Sequence, residues 1–280
     1  MREVNATRIT ACIKQMCQEA ACDLPTDVLA GLEEAQTNEP YPLAQRTLGI
    51  LLDNNRIASK RRVPICQDTG MVFVYIEIGQ EVMIIGNLEE AIQEGVRQGY
   101  EEGYLRKSMV EEPLFERKNT QDNTPAVIYY KMVPGDAIHI TIAPKGFGSE
   151  NMSQLKMMKP SEGVQGVQDF VLQVVKEAGP NACPPLVVGV GIGGSFDIAP
   201  QLAKKALLRK VGSHHPDERY AQLEKQWLTQ INESGIGPAG YGGKTTAIGL
   251  QIETFPTHIA GLPVAVSICC HVARHKEVTL

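Results

Sequence analysis

Apolar residues between Ile9 and Ala20 recur at the three- and four-residue spacing of a helix face, with Asn5 or Thr7 placed to cap its start and Pro25 beyond its end. Thr26 can cap a second helix over VLAGLEEA, and Leu43, Leu48, Leu51 and Leu52 mark one face of a third before the basic run KRR. At Val63 the period changes: in VPICQDTGMVFVYIEIG, Val72, Val74, Ile76 and Ile78 lie on one side of an alternating run, the signature of a strand. The spacing then predicts a helix over 88–104, opened by Asn87 with Glu90 three residues on in the manner of a capping box. Two strands follow, PAVIYYKMV and DAIHITIA, joined by the turn dipeptide Pro134 and Gly135 and succeeded by the polar glycine loop KGFGSENMS.

The second half predicts helices over 164–178, 199–211 and 217–234, an apolar strand over 186–192, and two closing strands, TTAIGLQIETF and LPVAVSICC. With no internal repeat or obvious linker, this pattern implies one α/β domain over 1–280, with mixed sheets, surrounding helices, a mostly helical portion over 1–60 and an α/β portion over 61–280.

Composition narrows the classes of function. The chain has 280 residues, 43% hydrophobic and 21% charged, ordinary for a globular protein and unlike a disordered or collagen-like one. Its net charge is -5 and its basic residues are scattered, so nucleic acid is not an expected partner. The longest apolar stretches fall short of the roughly 20 residues that span a bilayer, so no membrane helix is expected. The opening MREVNATRITACIKQ lacks the apolar core of a signal peptide, which makes the cytoplasm the expected location. Seven cysteines, an odd number, suit reduced thiols or metal ligands better than a disulfide framework.

Some of the motifs have simple readings. GVGIGGS follows a strand and precedes a helix, but no strand ending in an acidic residue comes next, so its glycines serve either close strand-to-helix packing or an anion site. In GPAGYGGKTT, Pro238 stands where a phosphate loop needs its first glycine, and a strand follows rather than a helix. Cys12, Cys17 and Cys22, five apart on the first helix, spread around it and read as buried thiols. Cys66, Cys183 and Cys270 differ, because each borders a strand among polar or turn residues. Each could be structural, or the three could share a metal centre, of zinc or of iron and sulfur.

Taken together, CQDTG at Cys66, LRKSMVEEP around Arg106, KGFGSENMS around Gly148, NACPPLVVGVGIGGSFD, GPAGYGGKTTA, PTHIAGLPVAV and the terminal CHVARHKE resemble the α subunit of two-subunit class I fumarate hydratases, close kin of tartrate dehydratase α subunits. The resemblance covers nearly the whole chain. It implies a hydro-lyase that hydrates fumarate to (S)-malate, with L(+)-tartrate dehydration as the alternative; the same cysteines, read alone, could instead support a non-enzymatic metal or redox-sensing module. The resemblance implies a 4Fe-4S cluster held by Cys66, Cys183 and Cys270, leaving one iron open as a Lewis acid. Neighbours on a strand face opposite ways, so only one of Cys269 and Cys270 is expected to reach the cluster; the family pattern, with cysteine directly before the histidine, selects Cys270 and leaves Cys269 to packing. Gln67, Arg106 and Gly148 are implied to bind a small dicarboxylate, and Asp68 and His258 to handle protons near the metal. A separate β subunit, in an α2β2 assembly, is expected to supply the rest of the active site, since single-chain enzymes of this family carry a further domain beyond the point where this sequence stops.

Overall fold

A computed structural model describes residues Met1–Leu280. Its strands are β1 (Arg2–Asn5), β2 (Met71–Gly79), β3 (Val82–Ile85), β4 (Val127–Val133), β5 (Ile138–Lys145), β6 (Gln154–Met158), β7 (Leu186–Gly193), β8 (Ala247–Phe255), β9 (Leu262–Cys269) and β10 (Lys276–Thr279). Its α-helices are α1 (Ala6–Cys22), α2 (Thr26–Asn38), α3 (Pro42–Arg61), α4 (Leu88–Glu102), α5 (Phe147–Glu150), α6 (Gly163–Ala178), α7 (Ile198–Ala206) and α8 (Glu218–Asn232). The mixed α/β architecture agrees with the sequence reading. The chain forms two compact units, one of Met1–Pro25, Asn55–Phe147 and Arg274–Leu280, the other of Thr26–Asn54 and Gly148–Ala273.

In the first unit a four-stranded sheet runs β10-β5-β2-β4, and β1 pairs with β3 separately. Asn5 caps α1 as its spacing predicts, its side-chain oxygen accepting the Thr7 amide at 2.9 Å. Asn87 does the same for α4 by accepting the Glu90 amide. Both helices are amphipathic. Ile9, Ile13 and Cys17 of α1 and Ile92, Val96 and Tyr100 of α4 form one core with Val72, Val74 and Ile76 of β2 and Ile138, Ile140 and Ile142 of β5. Burial removes apolar surface from water and is the main stabilising term here; it also pushes the Cys17 thiol up to about 12. Although Pro134 and Gly135 join β4 to β5, those two strands do not pair. Each pairs with β2 instead, β4 in parallel and β5 antiparallel.

The second unit repeats this plan in the sheet β6-β9-β7-β8. Its closing strands likewise flank a central one, β7, which pairs with β8 in parallel and with β9 antiparallel. Every residue of β7 is buried, as an all-apolar run requires. Val171, Val174 and Val175 of α6 and Trp227 and Ile231 of α8 share a core with β7, while Ala199 and Ala203 of α7 pack with Ala265 of β9 in a smaller cluster. α7 ends at Ala206, earlier than its periodicity suggests, because the chain tightens into i-to-i+3 bonds such as Leu208 N–H to the Lys205 carbonyl.

The glycines of GVGIGGS serve this packing. A Cβ on Gly189 would lie 2.1 Å from the Ala203 carbonyl oxygen, and one on Gly191 would lie 2.1 Å from that of Ala199. The motif lets α7 lie directly on β7, which favours the packing reading over an anion site. Gly191→Ala is therefore expected to force α7 off the sheet and to destabilise the protein by about 1–3 kcal/mol or more. Urea unfolding checks this, and an unchanged midpoint would contradict it.

Candidate active site

The segment Cys66–Gly70 connects α3 to β2 and is held as a turn by its own carboxylate. Asp68 Oδ1 accepts the Gly70 amide at 3.0 Å, and Oδ2 accepts the Phe147 amide, just past β5, at 2.8 Å. Gly70 adopts a φ of +87°, and a Cβ there would lie 2.7 Å from the Lys145 nitrogen, so both the conformation and the close approach demand glycine. Cys66 Sγ receives the Asp68 amide at 3.4 Å and stands 3.4 Å from the Gln67 side-chain oxygen. Cys66 and Asp68 are half-buried and Gln67 is exposed, so the turn presents sulfur, amide and carboxylate together.

A buried layer of polar groups supports the turn from below. The Tyr100 hydroxyl, on the inner face of α4, reaches the carbonyls of Thr69 at 2.7 Å and Gly70 at 3.0 Å. Burial pushes its pKa up and keeps it a donor. Asn123, fully buried, donates to the Gly70 carbonyl and accepts the Ser108 amide. Arg274, 5% exposed, donates from Nε to the Pro144 carbonyl at 3.2 Å and from Nη2 to the Asp68 carbonyl.

Arg106 joins the same framework through its main chain, because the Thr69 hydroxyl donates to its carbonyl at 2.9 Å. Its side chain is exposed. The neighbouring acids are engaged elsewhere: Glu112 accepts amides of its own turn, including that of Leu114, and Glu111 pairs with Lys118. Gly148 follows Phe147 directly and is exposed, and a Cβ there would meet nothing within 4 Å. Cys66, Gln67, Asp68 and the Arg106 main chain are thus joined in one framework within the first unit.

In the second unit Cys183 is exposed with a φ of +54°, and Cys270 follows the last residue of β9, which is the buried Cys269. The His271 amide donates to the Cys183 carbonyl at 3.3 Å, so these two stretches are neighbours at one end of the sheet. His258 is not with them. It lies in the loop between β8 and β9, beyond the opposite end of the eight-residue β7, where Gly193 pairs with Phe255. That separation is roughly 25 Å. Within one chain, strand pairing thus places His258, expected to handle a proton, at the other end of its sheet from Cys183 and Cys270. It instead borders an open groove of about 410 Å³ with Val164, Ile192, Tyr220 and Trp227.

The KTT of GPAGYGGKTT holds an internal anion. The buried Glu39 carboxylate accepts the amides of Lys244 at 3.0 Å and Thr245 at 2.8 Å. Burial alone would raise its pKa, but these amides together hold the carboxyl below its usual range. The phosphate-loop reading fails here on geometry as well as on sequence.

This α/β chain sets a thiol and a carboxylate on one turn bonded to the Arg106 main chain, and comparison with known proteins gives its class. The family model described as Fumarate hydratase (Fumerase) matches residues 10–279, and the chain belongs to that family of hydro-lyases. A Methanocaldococcus jannaschii protein, provisionally named L(+)-tartrate dehydratase subunit alpha, is 43% identical over 95% of each chain. Proteins of Escherichia coli K12 and Shigella sonnei, both named L(+)-tartrate dehydratase subunit alpha, are 31% identical over 98% of this chain and 90% of their own. No helix is long and apolar enough to cross a membrane.

Sequence reasoning overlooked Tyr100, Asn123 and Arg274. Only Arg274 lies in one of the quoted motifs, and its Val-Ala context was the available sign of burial. Tyr100→Phe should leave the Thr69 carbonyl without its donor and cost about 1–3 kcal/mol of stability. A urea midpoint equal to that of wild type would contradict the supporting role.

Proposed function

We propose that this chain is the cluster-bearing α subunit of a hydro-lyase that reversibly hydrates fumarate to (S)-malate. The observation that carries the reading is the single hydrogen-bonded framework fixing Cys66, Gln67, Asp68 and the Arg106 main chain. L(+)-tartrate dehydration is the second reading, favoured by the names of the relatives at 31% to 43% identity.

Cys66, Cys183 and Cys270 would hold a 4Fe-4S cluster, and the chemistry of three thiolate ligands suits one. These three lie outside helices and strands and are at least partly exposed, whereas Cys12, Cys17 and Cys22 lie in α1 and Cys269 in β9. The Asp68 amide aimed at Cys66 Sγ suits a thiolate, since hydrogen bonds to sulfur stabilise its charge. When bound, the cluster supplies one iron without a protein ligand as a Lewis acid toward substrate oxygens.

The chain's own residues do the rest. Arg106 can grip a carboxylate through two parallel hydrogen bonds, and Gln67 offers an amide beside it. The open surroundings of Gly148 leave room for the dicarboxylate. Asp68, with one amide on each oxygen, keeps free lone pairs and can take or return a proton at a fixed position. His258 is the second candidate for proton relay beside Asp68. A separate β subunit, in an α2β2 assembly in the cytoplasm, supplies the remaining cationic contacts and the base that acts at carbon, a reading supported by the relatives' names as α subunits.

The test is anaerobic co-expression with candidate β subunits, followed by assay on fumarate, L(+)-tartrate and mesaconate. Faster turnover of fumarate supports the proposal, and faster turnover of tartrate moves the chain to the second reading. Stoichiometric zinc without acid-labile sulfide, and no turnover, would leave the metal or redox-sensing module. Cys66→Ala, Cys183→Ala and Cys270→Ala should each abolish the cluster absorption, while Cys12→Ala, Cys17→Ala and Cys269→Ala should preserve it. Arg106→Lys should lower kcat/KM roughly 10- to 150-fold at constant iron content, because lysine keeps the charge but loses the paired geometry. Near-normal kcat/KM would remove Arg106 from the site.

A further inference from the structure

Arg274 is a buried cation held by carbonyls. Nε and Nη2 reach the Pro144 and Asp68 carbonyls, and Nη1, also buried, has no hydrogen-bond partner. Burying a guanidinium this way is costly, because carbonyls offset only part of the lost hydration and the third nitrogen is left unsatisfied. An apolar residue of similar volume would fill the space at less cost. The position therefore gains something from the fork and charge of arginine.

What it gains follows from the two carbonyls it bridges. Asp68 lies at the centre of the Cys66–Gly70 turn, and Pro144 lies three residues before Phe147, whose amide binds Asp68 Oδ2. Arg274 ties the backbone of the turn to the end of β5, while the Asp68 side chain ties the same two segments from the other side. With both ties in place, the carboxylate is held from its backbone and from its oxygens. We propose that Arg274 is a positioning residue that acts through Asp68, clamping the turn so that the carboxylate and Cys66 keep one orientation toward the substrate. This rests on the catalytic reading of Asp68 given above.

The test combines Arg274→Met and Arg274→Lys in the full-length chain and in the reconstituted complex. Hydrogen exchange of the whole chain, read at the Gly70 and Phe147 amides, should accelerate about tenfold or more in Arg274→Met, with the amides of α4 unchanged. In the complex, kcat should fall about tenfold or more with KM altered less than about threefold at wild-type iron content, and Arg274→Lys should recover part of the loss. A uniform rise in exchange across the unit, unchanged kcat, or a loss of kcat matched by loss of iron would each overturn the proposal. Should the wild-type complex turn over neither fumarate nor tartrate, the functional reading fails, and localised or uniform exchange alone then decides for or against the clamp. If Arg274→Met does not fold, Arg274→Lys carries the same exchange measurement, with a smaller local acceleration expected and none overturning it.

Discussion

Each oxygen of the Asp68 carboxylate accepts one main-chain amide, from Gly70 within the turn and from Phe147 beyond β5, and the candidate site depends on that pair of bonds. They bend the chain so that Cys66, Gln67 and Asp68, three consecutive residues, stand on one small surface instead of alternating along an extended strand. A reacting group held this way loses little freedom when substrate arrives, which is the main advantage of preorganisation. The buried contacts beneath the turn, from Tyr100, Asn123 and Arg274, all go to main-chain carbonyls. They fix the backbone and leave the functional side chains unencumbered.

The two sheets share a plan that explains how such turns arise. In each, a central strand, β2 or β7, has a parallel neighbour on one side and an antiparallel neighbour on the other. The parallel partner comes later in sequence and the antiparallel one later still, so the connection between those two passes the end of the central strand. The segments entering β2 and β7 carry Cys66 and Cys183, and the segment leaving β9 carries Cys270. Cysteines at such margins are free of the pairing constraints of the sheet, and glycine at Gly189 and Gly191 lets α7 cover β7 closely.

Much of this was legible in the sequence, for identifiable reasons. α1, α4, α6 and α8 combine helical periodicity with capping residues or a strong apolar face, and β2, β7, β8 and β9 are long enough to show their patterns. β1, β3, β6 and β10, of four or five residues each, are too short for a period to register. Strand order was not legible, because Pro134 and Gly135 mark a turn but not which strand lies between its arms. The turn residues at Cys66–Gly70 and Arg106 stood out as a motif, whereas Arg274 lay inside the motif CHVARHKE with no role assigned, since arginine is seldom buried. His258 shows the converse: a motif places it in the family, but the register of β7, β8 and β9 determines where it stands.

The central claim is that the Cys66–Gly70 turn exists to hold a working carboxylate, and Asp68→Asn addresses it most directly. Asparagine keeps an oxygen for one of the two amides and nearly the same volume, but it cannot accept a proton as a carboxylate does. Steady-state kinetics of the reconstituted Asp68→Asn complex should show kcat reduced by about 10² to 10⁴ at wild-type iron and sulfide content, with the unfolding midpoint lowered as for the loss of one hydrogen bond, because the asparagine NH2 faces an amide donor. A kcat within a few-fold of wild type would mean that the carboxylate only shapes the turn, and would contradict the account.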